Sequence, residues 1–130
     1  MPKYFEPAPD RAYDAPLEVK TVDQVDETPQ QLPQGYDWDV IDLSDDAVAQ
    51  ELYELLTNHY VEDSDGKFRF DYSIPFLRWA LNPPGNFDDW NIGVRANGKL
   101  YAFISAIPVT MVVNEEQVRM AEVNFLCVHK

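Results

Sequence analysis

The sequence contains little cysteine, little basic charge and no long apolar run. Cys127 is the single cysteine among 130 residues, which excludes an internal disulfide framework. No apolar run approaches the ~20 residues of a membrane-spanning helix. No Asn-x-Ser/Thr acceptor occurs, and the polar, proline-rich start does not resemble a signal peptide. These features predict a cytoplasmic protein without an integral membrane segment.

The charge balance is strongly acidic. The net charge is -13, from 23 acidic and 10 basic side chains, and a field of this sign repels nucleic acid and anionic membrane surfaces. A basic peptide is the ligand that it would attract. The alternative is that the charge only keeps the protein soluble, and composition alone favours that alternative.

The chain divides into an arm and one domain. Residues 1–31 contain five prolines and no helical or strand periodicity, which predicts an extended or disordered arm. Residues 32–130 carry the periodic segments, and the hydrophobic content of 45% suffices for one core. Around Tyr36 and Trp38 we expect a short strand that packs its aromatic residues onto the domain.

Two helices and an antiparallel meander follow. Ser44 is expected to cap a helix, because an apolar stripe follows it at helical spacing: Val48, Leu52, Leu55, Leu56 and His59. A second helix is expected to begin at Ser73 and to stop before Pro83. Asn97-Gly98 predicts a hairpin between strands 91–96 and 99–107. A second hairpin is expected to join 109–113 to 117–128, and the apolar end, 125–128, is typical of a strand covered on both faces.

Four segments stand out in the sequence: Tyr60-Val61-Glu62-Asp63, Phe68-Arg69-Phe70-Asp71-Tyr72, residues 103–108 and Asn124-Phe125-Leu126-Cys127-Val128-His129-Lys130. Together they resemble one enzyme family, the N-myristoyltransferases. The last is a specific signature, and the similarity covers most of residues 32–130. Such enzymes move a fourteen-carbon acyl group from coenzyme A to an N-terminal glycine. The resemblance implies an α+β, GNAT-like acyl-CoA N-acyltransferase fold, truncated after the central meander strands. Residues 32–130 would then be its incomplete N-terminal, acyl-CoA-binding half.

The resemblance implies a catalytic role for two backbone amides. In the family, the N–H groups at the positions of Phe125 and Leu126 stabilise the negative charge that acyl transfer builds on the thioester oxygen. A strand that loses its partner there would leave these groups free. The implied acyl-CoA-binding residues are Tyr4, Phe5, Tyr60, Val61, Phe125, Leu126, Cys127 and Val128. Without the resemblance, Phe125 and Leu126 are simply apolar residues of a buried strand.

The resemblance also implies a peptide cleft. Its residues would be Glu62, Asp63, Asp65, Phe68, Arg69, Phe70, Tyr72 and Asn124. In the family the acidic loop faces basic residues of the peptide, whereas here Ser64 and Lys67 dilute its charge. A solvated acidic turn is the alternative. The alternation of Phe68, Phe70 and Tyr72 predicts a strand with three aromatic residues on one face, which could also be core.

A cysteine mechanism is the rival hypothesis. Cys127 and His129 would share a strand face at ~7 Å, so a His-activated thiolate is conceivable. No third orienting group is evident, and family enzymes transfer the acyl group directly. We expect no metal, since His59, Cys127 and His129 lack ligand-pair spacing. The resemblance implies no cofactor, with myristoyl-CoA as co-substrate.

Three features of the family are missing from these 130 residues. They are the basic loop that holds the CoA phosphates, the peptide-selecting second half and the terminal carboxylate that accepts the glycine proton. We therefore expect no transfer by this chain alone, unless the missing half is supplied in trans. A non-catalytic peptide- or acyl-binding module, or an incomplete gene product, stays open as an alternative.

Overall fold

The computed structural model describes residues 19–113 and 115–130. Tyr4 and Phe5, which were predicted to bind acyl-CoA, lie outside this part of the chain, as does Asn114. The chain divides into two compact units, Met1–Gln30 and Gln31–Lys130. The described part of the first unit contains one 3-10 turn, Val22–Gln24, where the Thr21 N–H donates to the Gln24 side chain at 3.0 Å.

The second unit is built on one antiparallel sheet of four strands. They are β1 (Asp37–Val40), β2 (Asn91–Ala96), β3 (Lys99–Val113) and β4 (Glu116–Val128), and they neighbour one another in chain order. Two helices, α1 (Asp46–His59) and α2 (Ile74–Ala80), lie between β1 and β2 in the chain. The predicted order of a strand, two helices and a meander is therefore confirmed.

Helix α1 begins one residue later than predicted. Asp45 rather than Ser44 caps it, because the Asp45 carboxylate accepts from the N–H groups of Ala47 at 2.8 Å and Val48 at 3.2 Å. The backbone N–H of Ser44 instead donates to the Asp42 side chain. A carboxylate at this end also benefits from the positive end of the helix dipole, which a serine hydroxyl does not.

Helix α2 begins as predicted. The Ser73 hydroxyl accepts from the N–H of Phe76, and Pro75 is accommodated in the first turn, where no intrahelical N–H is needed. The helix ends at Ala80, before Pro83. Its one buried residue is Leu77, so the helix presents most of its length, including Trp79, to the outside.

Strand β3 is longer than predicted. The turn that precedes it forms as expected, with Asn97 and Gly98 at φ 49° and 76°. The strand then continues through Pro108 to Val113 instead of ending at Ile107. Pairing with β2 ends at Ser105, so the residues beyond it pair with β4 only. A proline is tolerated there because one side of the strand needs no N–H donor.

A β-bulge interrupts the β3–β4 pairing. Phe103 pairs with Cys127 and Ser105 pairs with Asn124, so Phe125 and Leu126 together oppose the single residue between them. Phe125 has a positive φ of 57°, which a bulky residue rarely adopts. The bulge places the two predicted catalytic amides at the one irregular point of this strand pair.

The core lies between the helices and the sheet, where α1 packs against β3, β4 and α2. It contains twelve buried residues: Ile41, Leu43, Ala49, Leu52, Leu55, Leu56, Leu77, Leu81, Leu100, Phe103, Phe125 and Cys127. The end of β4 is covered on one face only, since Leu126 is 65% exposed and Val128 is also exposed. The described residues therefore supply one of the two covers predicted for this strand, and the second stays a prediction. Trp38 is 48% exposed, whereas the Tyr36 ring packs edge-on against the Tyr101 ring with the centroids 5.7 Å apart.

Candidate functional site

The bulge in β4 is fixed by two hydrogen bonds. The buried hydroxyl of Ser105 donates to the backbone carbonyl of Asn124 at 3.1 Å. The side-chain carbonyl of Asn124 accepts the N–H of Phe125 at 2.8 Å. A bulge leaves its extra residue outside the regular ladder, so it is a suitable place for amide donors that serve a ligand. The predicted amides therefore lie at a bulge, not where the strand loses its partner.

Aromatic rings surround the bulge. The rings of Tyr60 and Tyr72 lie 5.9 and 5.2 Å from that of Phe125, and Tyr72 continues the contact to Phe70 and Phe76. Burial raises the pKa of the Tyr60 phenol, and a backbone hydrogen bond from Phe125 opposes this shift. Tyr60 lies directly after the last residue of α1. Helix α1 and the bulge are thus locked together by stacked rings.

A cleft of about 590 Å³ opens beside the bulge. This volume falls within the ~300–1,000 Å³ typical of small-molecule sites. Among its lining residues are Tyr72, Asn124 and Phe125, which were predicted. The other lining residues, among them Phe76, Trp79, Ile107 and Glu122, were not assigned to a site from the sequence. The two helix aromatics could have been flagged because they fall outside the buried stripe of α2.

The acidic loop is partly neutralised by neighbouring cations. The Glu62 carboxylate forms an ion pair with Arg69 and another with Lys130, the latter at 2.5 Å. The Lys130 hydrogen bond and charge, followed by Arg69, lower the pKa of Glu62. Glu62 also forms an isolated β-bridge with Arg69. Its charge is therefore directed at this chain rather than being free for a peptide.

The other two acids of this loop have different surroundings. The Asp63 carboxylate accepts the N–H of Phe68 at 2.7 Å and so closes the turn. Asp65 is exposed, and its partner Lys67 lies at 3.5 Å with an exposed ammonium group. Exposed pairs of this kind contribute little to stability. Of the three loop acids, Asp65 therefore has the carboxylate that is most available to a ligand.

The predicted strand over residues 68–72 is wrong. Pairing is limited to the single bridge at Arg69, because the turn that Asp63 closes leaves no second strand alongside. Phe68 and Phe70 are nevertheless close together, since both line a smaller cleft of about 270 Å³ with Val61 and Glu62. Tyr72 belongs to the larger cleft instead.

Cys127 and His129 do not form a catalytic pair. Cys127 is 3% exposed, its thiol donates to the Leu55 carbonyl at 3.7 Å, and burial raises the pKa of the thiol. The His129 ring stacks on the His59 ring with centroids 3.9 Å apart. Both ring nitrogens of His129 have other contacts, with the Lys130 carbonyl and the Lys99 ammonium group. The thiol is thus protonated and directed into the core.

His59 is expected to make the chain less stable in acid. Burial, followed by the charges of His129, Arg69, Lys99 and Lys130, lowers its pKa below the ordinary value of 6.5. The unfolded chain then binds a proton at His59 more readily than the folded chain does. The contribution of His59 to folding stability is therefore present above pH 6.5 and is lost as the pH falls below it. Urea unfolding at pH 7.5 and 5.5 should show that the free energy of unfolding falls less between these two pH values in His59→Gln than in the unaltered chain. An equal loss in both would contradict this prediction.

The described part of the chain contains neither a metal-binding group of side chains nor a membrane-spanning helix. Across residues 19–113 and 115–130, no group of three or more histidine, cysteine, aspartate or glutamate side chains could hold a metal ion. Over the same residues no helix has the length and apolar character needed to span a bilayer.

An antiparallel sheet with packed helices, a bulged strand and an adjoining aromatic cleft defines an α+β domain of the acyltransferase type. Residues 16–130 match the family model described as Myristoyl-CoA:protein N-myristoyltransferase, N-terminal domain. The chain therefore belongs to the N-myristoyltransferase family.

Curated relatives and solved structures agree with this assignment. Glycylpeptide N-tetradecanoyltransferase 1 of Arabidopsis thaliana is 50% identical over 90% of this chain and 28% of its own length. The probable enzyme of that name from Caenorhabditis elegans is 48% identical over all of this chain and 29% of its own. The Saccharomyces cerevisiae N-myristoyltransferase structure with bound myristoyl-CoA has a TM-score of 0.78 and 45% identity, covering 87% of this chain and 27% of that one. The chain thus spans less than a third of these relatives.

Proposed function

We propose that this chain takes part in the transfer of myristate from myristoyl-CoA to the N-terminal glycine of proteins. The observation that carries the proposal is the bulge at Phe125 and Leu126, which takes both residues out of the strand register beside an aromatic cleft that Phe125 lines. A similar structure from yeast contains bound myristoyl-CoA. Because the chain spans less than a third of its relatives, the complete activity belongs to a longer polypeptide.

The reaction requires an amine nucleophile and a stabilised oxyanion. The glycine nitrogen attacks the thioester carbonyl carbon, the carbon–sulfur bond breaks, the coenzyme A sulfur leaves and the amine gives up a proton. Negative charge develops on the carbonyl oxygen in between, and fixed N–H donors lower that barrier by several kcal/mol. The donors assigned here are Phe125 and Leu126. No protein nucleophile is needed, in agreement with the buried, protonated thiol of Cys127.

The remaining site residues divide between the two substrates. Tyr60, Val61, Cys127 and Val128 are assigned to acyl-CoA, as are Tyr4 and Phe5 from the family resemblance alone. The peptide side is assigned to Glu62, Asp63, Asp65, Phe68, Arg69, Phe70, Tyr72 and Asn124. We assign the reaction to the cytoplasm, where a single free cysteine such as Cys127 stays reduced.

Binding and transfer measurements together test the proposal. Myristoyl-CoA should bind the 130-residue chain and change its tryptophan fluorescence, because Trp79 lines the cleft. A longer polypeptide that also contains the remaining length of the relatives should, in addition, transfer myristate to a Gly-Ser-rich basic peptide. A chain that binds neither myristoyl-CoA nor peptide would contradict the proposed role.

A non-catalytic binding module is the second candidate. It is favoured by the cleft, because residues of this chain form about 590 Å³ of apolar space without any further segment. Binding of myristoyl-CoA without transfer, in the chain and in every longer form, would establish the module and exclude the transferase.

Cys127→Ala is expected to retain most of the activity of a transferring polypeptide that contains this chain. The attacking group is the amine of the peptide, so removal of the thiol should cost about 1 kcal/mol of stability or somewhat more, and little of the turnover. Steady-state rates and urea unfolding of the variant measure the two effects. A thousandfold loss of turnover with intact folding would instead support a thiol mechanism.

Replacing the three loop carboxylates, Glu62, Asp63 and Asp65, by amides is expected to weaken the binding of a basic glycine peptide more than the binding of a neutral one. The difference should shrink as salt rises, because exposed charges act through a field with a Debye length of about 8 Å at physiological ionic strength. Titrations of both peptides at low and high salt measure it. We expect Asp65→Asn to account for most of the effect, since Glu62 is already paired with two cations.

A matched control separates a local field from net charge. Replacing Asp37, Asp88 and Asp89 by asparagine removes three charges from residues that line neither cleft. This control should leave the preference for the basic peptide close to that of the unaltered chain. An equal change in both triple variants would limit the loop to a structural turn.

A further inference from the structure

The N–H group of Phe125 is engaged by a side chain of this chain. Its acceptor is the side-chain oxygen Oδ1 of Asn124, at 2.8 Å. One N–H can make one well-aligned hydrogen bond, so a thioester oxygen and this Oδ1 compete for it. Resting on the function proposed above, we propose that the Asn124 carboxamide is a gate that occupies the Phe125 oxyanion donor and must turn away when acyl-CoA engages it.

The parts around the carboxamide are held in place. Ser105, which is buried, fixes the backbone carbonyl of Asn124 at 3.1 Å, and the Phe125 ring stacks on Tyr60 and meets Tyr72 edge to face. The backbone of Phe125 is thus fixed at its positive φ by its surroundings. Rotation of the Asn124 side chain removes this acceptor without any movement of the strand, and leaves the Tyr60 hydroxyl as the other group that the Phe125 N–H approaches.

The displaced Asn124 carboxamide has room to turn and a further hydrogen-bonding role. Asn124 lines the aromatic cleft, whose volume is about 590 Å³, so its side chain can turn into open space. Once displaced, Oδ1 becomes an acceptor on the side assigned to the peptide. The gate therefore exchanges an internal hydrogen bond for one to the acyl oxygen, and makes Asn124 available to the incoming amine.

The test compares two ligands that differ in one oxygen atom. Myristoyl-CoA has the thioester carbonyl, whereas S-tetradecyl-CoA, a thioether, lacks it and cannot accept the Phe125 N–H. Isothermal titration gives both dissociation constants for the chain and its variants. The measured quantity is the preference, defined as the Kd of the thioether divided by the Kd of the thioester. This ratio cancels changes in the general affinity for the acyl chain and coenzyme A.

Three variants make the preference diagnostic. Asn124→Ala removes the competitor, so the preference for the thioester should rise about threefold to tenfold, the worth of one net hydrogen bond. Asn124→Asp retains the shape but is a stronger, charged acceptor, so the preference should fall below that of the unaltered chain. Gln117→Ala, which also removes a carboxamide from β4 but lines neither cleft, should leave it unchanged.

The outcomes distinguish the gate from the proposed function. Equal preferences in the unaltered chain, Asn124→Ala and Asn124→Asp would overturn the gate while leaving an acyl-CoA site. Failure of both ligands to bind the folded, unaltered chain would overturn the proposed acyl-CoA site and the gate with it. Should Asn124→Ala fail to fold, the Asn124→Asp result decides alone, and a preference that does not fall contradicts the gate. A role that is only structural would alter stability and leave the ratio constant.

Discussion

Phe103→Ala should lower the free energy of unfolding by about 3–5 kcal/mol, close to the whole stability of many small domains. Phe103 is 1% exposed and lies in β3, opposite Gly93 of β2 on one side and Cys127 of β4 on the other. Its removal leaves a cavity against α1 that the paired strands cannot close. Urea unfolding followed by circular dichroism measures the change.

Phe68→Ala is the matched control for this prediction. It makes the same chemical change at a ring that is 77% exposed, so the free energy of unfolding should change by about 0.5 kcal/mol or less. Comparable losses in the two variants would mean that Phe103 does not lie at the centre of the core.

Local features of the fold could be predicted from the sequence. The stripe of Leu52, Leu55 and Leu56 identified the buried face of α1, and Asn97-Gly98 identified the hairpin between β2 and β3. Each of these signals acts over a few residues, through side-chain periodicity or backbone preference. Such signals can be recognised in a short segment of sequence without knowledge of the rest of the chain.

Features that depend on strand pairing could not be predicted. The continuation of β3 through Pro108 depends on where β2 ends, and the bulge depends on the register between β3 and β4. Register is a property of two strands, so the sequence of β4 does not show that Phe125 leaves the regular ladder. The family resemblance supplied the two amides without their geometry.

The electrostatics of the acidic loop also depend on distant residues. Glu62 was interpreted as a carboxylate for a peptide, but Lys130 approaches it from 68 positions away in the chain. The net charge of -13 describes the field at a distance and says little about which carboxylates are free. Asp65 has an exposed pair with Lys67 that is contained in the loop, and its role toward a peptide stays a prediction.

An amide-to-ester substitution at Phe125 should lower the turnover of a transferring polypeptide that contains this chain about a hundredfold to a thousandfold. Incorporation of phenyllactic acid replaces the N–H by an oxygen atom and keeps the ring. The ring contacts with Tyr60 and Tyr72 are retained, so the effect should fall on kcat while the KM for myristoyl-CoA changes little. The same exchange at Leu126 should give a loss of similar size.

The control is an ester at Met120, which also removes one N–H from β4 but lies in the part that pairs with β3 away from the bulge. It reproduces the cost of one lost backbone donor, about 1 kcal/mol of stability, without touching the acyl oxygen. Its kcat should therefore stay within about threefold of the unaltered enzyme, because no transition-state contact is lost. If the esters at Met120 and Phe125 reduced kcat equally, the loss would be one of strand stability. The bulge would then shape the cleft without stabilising the oxyanion.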